Sequence, residues 1–141
     1  MTRSNDLLKF STRNPATSTS GTVTNYFAVG SRPIMVKNHV LTGINPSDTD
    51  GDTVASEWDY TVTGAGGASW VTLDDEAAFE YNDTTDTNAL GDIGDSTASS
   101  VTVAADINIR VPAFALVRHL EITAGTVTGH QMDCTLEYVV L

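Results

Sequence analysis

Apolar and polar residues alternate with a period of two along most of this chain, in short runs separated by turn-forming residues that leave no room for a long helix. Val23, Asn25, Phe27 and Val29 alternate with Thr22, Thr24, Tyr26 and Ala28, then Gly30-Ser31-Arg32-Pro33 breaks the run before Ile34–Leu41 begins another. Trp58, Tyr60 and Val62 alternate with Asp59, Thr61 and Thr63 and stop at Gly64-Ala65-Gly66-Gly67. Trp70–Leu73 and Ala77–Tyr81 are shorter candidates, and a long polar loop covers 82–100. Ile107, Ile109 and Val111 lie opposite Asp106, Asn108 and Arg110, while Phe114, Leu116, Leu120 and Ile122 follow Pro112, which cannot donate to a ladder and so marks an edge or bend. The last run sets His130, Met132, Cys134, Leu136, Tyr138 and Val140 against Gln131, Asp133, Thr135 and Glu137. Successive strand side chains point to opposite faces, so each run reads as a strand with one buried face. The one helical candidate is a single turn from Asp74-Asp75-Glu76 through Ala77, Ala78 and Phe79. Many short strands with turns every eight to twelve residues or so predict an all-β fold, an antiparallel β-sandwich that is jelly-roll-like.

A length of 141 residues, 40% of them hydrophobic, suits one core and one domain. The lone Cys134 permits no internal disulfide, so stability must come from packing, ions or partners. Residues 1–21, MTRSNDLLKFSTRNPATSTSG, are polar and interrupted by Pro15. They bury too little apolar surface to offset their ordering entropy alone, and are expected to form an extended N-terminal arm on the domain spanning 22–141. Leu7, Leu8 and Phe10 would anchor that arm on a partner, with Arg3, Lys9 and Arg13 supplying charge. Because the closing run reaches Leu141, an edge strand needs shielding by a neighbour, which predicts a homo-oligomer, with a trimer favoured.

Charge is segregated. Residues 38–109 contain 14 of the 18 carboxylates and no Lys or Arg, whereas residues 1–37 hold five of the seven cations against Asp6 alone. A net charge of −11 repels nucleic acid and anionic membranes. Asp outnumbers Glu by 13 to 5 and Thr reaches 21, a profile resembling halophilic proteins, whose carboxylates stay hydrated in screening salt. The N-terminus lacks the apolar run of a signal peptide, and nothing approaches the roughly 20 apolar residues of a membrane span, so synthesis in the cytoplasm is expected.

The candidate chemistry is sparse. In PSDTDGDTVASE, residues 46–57, aligning Gly51 with the turn glycine of a calcium loop puts Asp48, Asp50 and Glu57 at ligand positions, but Pro46 replaces the first ligand and the flanks are strands. A looser site for Ca²⁺ or Na⁺ would use Asp48, Asp50 and Asp52; a solvated turn is the plainer reading of the segment, and more so of Asp74-Asp75-Glu76. His39, His119 and His130 lack compact zinc-ligand spacing and read as separate packing or surface residues. Cys134 alternates with Met132 and Leu136, the pattern of a small core residue. No Gly-x-Ser-x-Gly elbow occurs, Gly64–Gly67 lacks the Lys-Ser/Thr of a phosphate loop, and Asn82-Asp83-Thr84 is a formal glycosylation sequon in a Thr-rich chain. The chain is therefore expected not to be an enzyme and to need no cofactor.

The polar basic leader, the Thr/Val/Gly-rich β body and the closing GHQMDCTLEYVVL together resemble the small virion structural proteins of tailed phages and archaeal tailed viruses, of the head decoration or cement type. That resemblance implies location in the virion, trimers on a capsid lattice, and contact with the major capsid or another virion protein. The alternative from another class is a Ca²⁺-dependent surface adhesion or carbohydrate-binding sandwich, with Trp58, Trp70, Tyr60 and Tyr81 as a stacking platform.

Overall fold

The computed structural model describes residues 6–13, 17–18, 21–44, 53–64, 66, 69–81, 92–93, 100–124, 127–128 and 131–141. Eight long strands account for most of them: β1 (Leu8–Arg13), β3 (Gly21–Ala28), β4 (Ile34–Ile44), β5 (Thr53–Thr61), β6 (Val71–Tyr81), β8 (Ser100–Val111), β9 (Leu116–Ala124) and β11 (Gln131–Val140). Three two-residue pieces, β2 (Thr17–Ser18), β7 (Asp92–Ile93) and β10 (Val127–Thr128), complete the set. One sheet runs β1-β11-β4-β8 and the other β3-β9-β5-β6-β7; β2 pairs with β10.

Counting only the long strands, the first pairs with the eighth, the second with the seventh, the third with the sixth and the fourth with the fifth. This is one long antiparallel hairpin rolled on itself. The roll is closed within each sheet by the eighth strand on the third and the seventh on the fourth. The result is the eight-stranded jelly roll.

The inward faces meet in a core of Val36, Leu41, Trp58, Val111, Val117 and Leu136, all fully buried. A run of rings crosses it from sheet to sheet. Tyr138 stacks on Phe10 at 4.4 Å, Phe10 on Phe27 at 5.0 Å, and Phe27 leans on Trp58 at 5.8 Å. Trp58 then meets His119 at 4.7 Å and His39 at 6.0 Å.

Parity along β4 changes midway, because Ile34 and Val36 point inward and so do His39 and Leu41. Against β11, Lys37 is the extra residue; against β8 the register also shifts there, with Ile107 and Asn108 facing Lys37. Opposite it, Asn108 takes φ 58° and accepts a hydrogen bond from Lys37 Nζ at 3.1 Å. Such a bulge inserts one residue into a ladder, and Asn tolerates the left-handed backbone better than most residues.

Two expectations are revised. The helical turn proposed from Asp74 is absent, since Val71–Tyr81 is one continuous strand whose ladder to β5, interrupted by bulges, overrides the local capping signal. The segment read as an arm is, over Leu8–Arg13, an edge strand of the sandwich itself. Its polar composition hides that Phe10 and Thr12 alternate inward while Lys9, Ser11 and Arg13 face out.

Replacing Phe10 by Ala should lower unfolding stability by about 2 kcal/mol or more, read from a urea midpoint, because it leaves a gap between Phe27 and Tyr138. An unchanged midpoint would show that the leader does not pack on its own sheet.

Candidate functional site

Alternation places four polar side chains on the inward faces, where they meet around Ser56. Ser56 precedes Trp58 by two on β5, His119 follows Val117 by two on β9, and His39 and Cys134 occupy inward positions of β4 and β11. The Ser56 Oγ lies 2.7 Å from His119 Nε2, 3.2 Å from His39 Nε2 and 3.5 Å from the Cys134 sulfur. On its far side, His119 Nδ1 is 3.3 Å from Thr12 Oγ1 of β1. A hydroxyl has one proton to give and two lone pairs to accept with, so at least one of the two histidines donates to Ser56.

A serine against a histidine invites comparison with an activated nucleophile, but Ser56, His39, His119 and Cys134 are all 0% exposed. Burial pushes His119 down from 6.5 to about 3, with His39 adding a smaller push, so the ring is neutral. Burial likewise raises the Cys134 thiol to about 12, removing the thiolate. The cluster ties both sheets and β1 together through hydrogen bonds sheltered from water. The histidines had been read as separate; the signal that joins them is their inward parity. His130 lies outside the described residues.

The residues expected to bind a partner through the leader are divided. Arg13 forms a bidentate pair with Asp133, at 2.7 and 3.0 Å, and that hydrogen bond and charge raise its pKa further. Lys9 Nζ lies 3.5 Å from Glu137, and Phe10 is committed to the ring stack. Leu7 and Leu8 remain exposed. Arg3 lies outside the described residues. So do Asp48, Asp50 and Asp52, while Glu57 stands half-buried within β5, in register with Asp75 and Leu120. Among the described residues no group of three or more His, Cys, Asp or Glu could hold a metal ion.

On the outer face of the second sheet, Arg118 covers Asp59, with Nε and a terminal nitrogen at 2.8 and 2.6 Å from Oδ2. Its guanidinium carbon sits 3.9 Å over the Trp70 ring, and Tyr26 lies 6.4 Å beyond. Of the proposed stacking platform, Trp58 is instead core, Tyr60 packs half-buried against that core, and Tyr81's side chain lies outside the described residues.

Neither a protein-family model nor a curated protein matches the chain. Among solved structures, a protein from Sulfurospirillum deleyianum is similar at 8% identity and TM-score 0.41, over 94% of this chain and 97% of that one. A structure of infectious bursal disease virus, Gx strain, gives 9% identity and TM-score 0.41 over 98% of this chain, and T=1 particles derived from infectious bursal virus give 11% and 0.40 over 96%. This chain spans 36% and 29% of those two viral chains. The fold assignment rests on the strand order, not on these likenesses.

A neutral His119 makes the fold acid-sensitive in a defined window. The unfolded ring takes a proton near 6.5 and the folded one near 3, so the stabilisation is complete above 6.5 and drains as pH falls towards 3. The total is up to roughly 4 to 5 kcal/mol. His119→Gln should flatten the stability-against-pH curve between those limits relative to wild type. Equal slopes would mean the folded ring is charged. Cys134 should resist a thiol reagent in the native protein and react at once in urea; rapid native labelling would contradict its burial.

Proposed function

We propose that the chain is a virion structural protein, a capsid decoration or cement subunit that stabilises a viral head by oligomeric lattice contacts and acts by binding, not catalysis. The observation that carries this reading is the strand order, the rolled hairpin that recurs in viral capsid domains, lectins and cupins. Among the described residues, Trp58, Leu41, Leu136, His39 and His119 fill the middle of the space between the sheets, which favours recognition by the ends and outer surface over a ligand held deep in the interior. That surface belongs to a chain of net charge −11, which favours a protein partner over nucleic acid or an anionic membrane. Repeated weak contacts on a lattice add up through effective concentration, so no single deep pocket is needed. The reading places the protein in the virion after synthesis in a host cytoplasm, as a homo-oligomer, with a trimer favoured, seated on the major capsid or another virion protein.

A carbohydrate-binding module is the second reading. It is favoured by the outward cluster of Tyr26, Trp70 and Arg118, since an aromatic face beside a fixed charge suits a sugar ring.

Particles purified by density from a culture producing the cognate virus should contain this chain in copy number comparable to the shell protein, by quantitative mass spectrometry. Adding the purified protein to particles lacking it should raise their dissociation temperature. Absence from particles, together with binding on a glycan array that is lost on Tyr26→Ala, would replace the virion reading with the second.

A further inference from the structure

One end of the sandwich carries both a hollow and a protruding ring. The hollow, about 250 Å³, is lined by Phe10, Val29, Ile34, Tyr138 and Val140, with Arg32 beside them. An apolar cavity of roughly 150 Å³ accepts a benzene molecule, so this one has room for a phenyl group. The ring is Phe114, in the turn between β8 and β9, and it is 77% exposed.

Phe114 is held there firmly. Its φ is 60°, a left-handed conformation rarely adopted by bulky side chains and sustained only where the surroundings over-determine it. Its N–H donates to the Gly30 carbonyl at 2.9 Å, and the Val29 N–H donates to the Ala115 carbonyl at 2.9 Å. Val111 and Ala115, on either side, are buried. Gly30 also lines the hollow, so ring and hollow are neighbours, yet Phe114 takes no part in lining it. The fold thus uses a strained backbone to hold a large apolar ring in water beside an apolar cleft of matching size that no side chain among the described residues fills.

We propose that this end is a self-association surface, on which Phe114 of one copy enters the cleft of a second copy. With knob and hole side by side, a closed symmetric assembly satisfies both on every subunit and leaves no open chain of contacts. The proposal deepens the homo-oligomer part of the proposed function by naming its contact, and it does not rest on location in the virion.

Two variants test it, one for each half of the contact. Phe114→Gly removes the knob and suits the left-handed backbone, so it should fold at least as stably as wild type. Gly30→Trp obstructs the hole; a Cβ at Gly30 meets no atom within 4 Å, so the fold should bear it. Sedimentation equilibrium should show wild-type self-association that strengthens between low salt and about 1 M, as screening weakens the repulsion between acidic bodies. Each variant alone should associate about thirty-fold more weakly or worse, as expected for a hot-spot aromatic. An equimolar mixture should recover mixed oligomers, because one variant retains the hole and the other the knob. A wild type that stays monomeric throughout, or a Phe114→Gly protein that associates like wild type, would overturn the proposal. A wild type that stays monomeric would also remove the homo-oligomer from the proposed function, whereas the virion location stands or falls on the content of purified particles.

Discussion

The pairing of the first strand with the last is the contact on which the rest of the molecule depends. β1 lies antiparallel on β11 from Leu8 opposite Tyr138 to Arg13 opposite Asp133. Through that one ladder, Phe10 reaches the ring stack and Thr12 reaches the back of His119, while Arg13 and Lys9 meet Asp133 and Glu137. Phe10 and Tyr138 also form one side of the end cleft. Without β1, the polar cluster would lose a partner, two rings would face water and the cleft would lose a wall. The ion pairs contribute register more than energy, because exposed pairs are largely screened. The apolar and ring contacts of Phe10 hold the strand.

Polar burial is the second organising fact. A sandwich this small could have filled the space around Ser56 with aliphatic side chains and avoided the desolvation of two imidazoles. Instead one hydroxyl serves both rings, and Thr12 serves the second nitrogen of His119. Buried networks of this kind are stable only when their members are satisfied, and they restrict the ways two sheets can slide past each other. A one-residue slip of β5 would withdraw Ser56 from both histidines and place Glu57 between them. Not every buried atom is so well served: among the described residues, Trp58 Nε1 and Asp59 Oδ1 have no hydrogen-bond partner. Each such group opposes folding by about 1 to 3 kcal/mol, and the ring contacts around Trp58 offset part of that.

Alternation made most of the architecture legible. The inward sets at Ile107, Ile109 and Val111, and at Cys134 and Leu136, lie where a period of two puts them, and the jelly-roll class follows from strand number and spacing. What alternation does not convey is pairing. Asp74-Asp75-Glu76 looks like a helix start when taken alone, and only β5 alongside makes it a strand. Residues 8–13 look like a tether because three of their side chains are polar and outward; the single inward Phe10 is too weak a periodic signal over six residues. The histidine cluster was hidden for a related reason. His39, Ser56, His119 and Cys134 are far apart in sequence, and the bulge at Lys37 restores His39 to the inward face after Val36. A strict period of two from Ile34 would have turned His39 outward.

The rolled hairpin also decides where the cations of a chain with segregated charge come to lie. Rolling brings the second long strand against the seventh, so the acid-free run 21–37 is laid beside the acid-free run 107–120. The turn at 29–33 then meets the turn at 112–115 through two main-chain hydrogen bonds. Of the carboxylates in 38–109, Asp59 lies among the last residues of β5 towards that end, where Arg118 covers it. Two cation-bearing segments widely separated in sequence thereby converge on one end, while Asp133 and Glu137 on β11 are matched by the basic residues of β1. The fold brings these segments together because it pairs early strands with late ones, and the end so created is where Phe114 stands exposed beside the cleft.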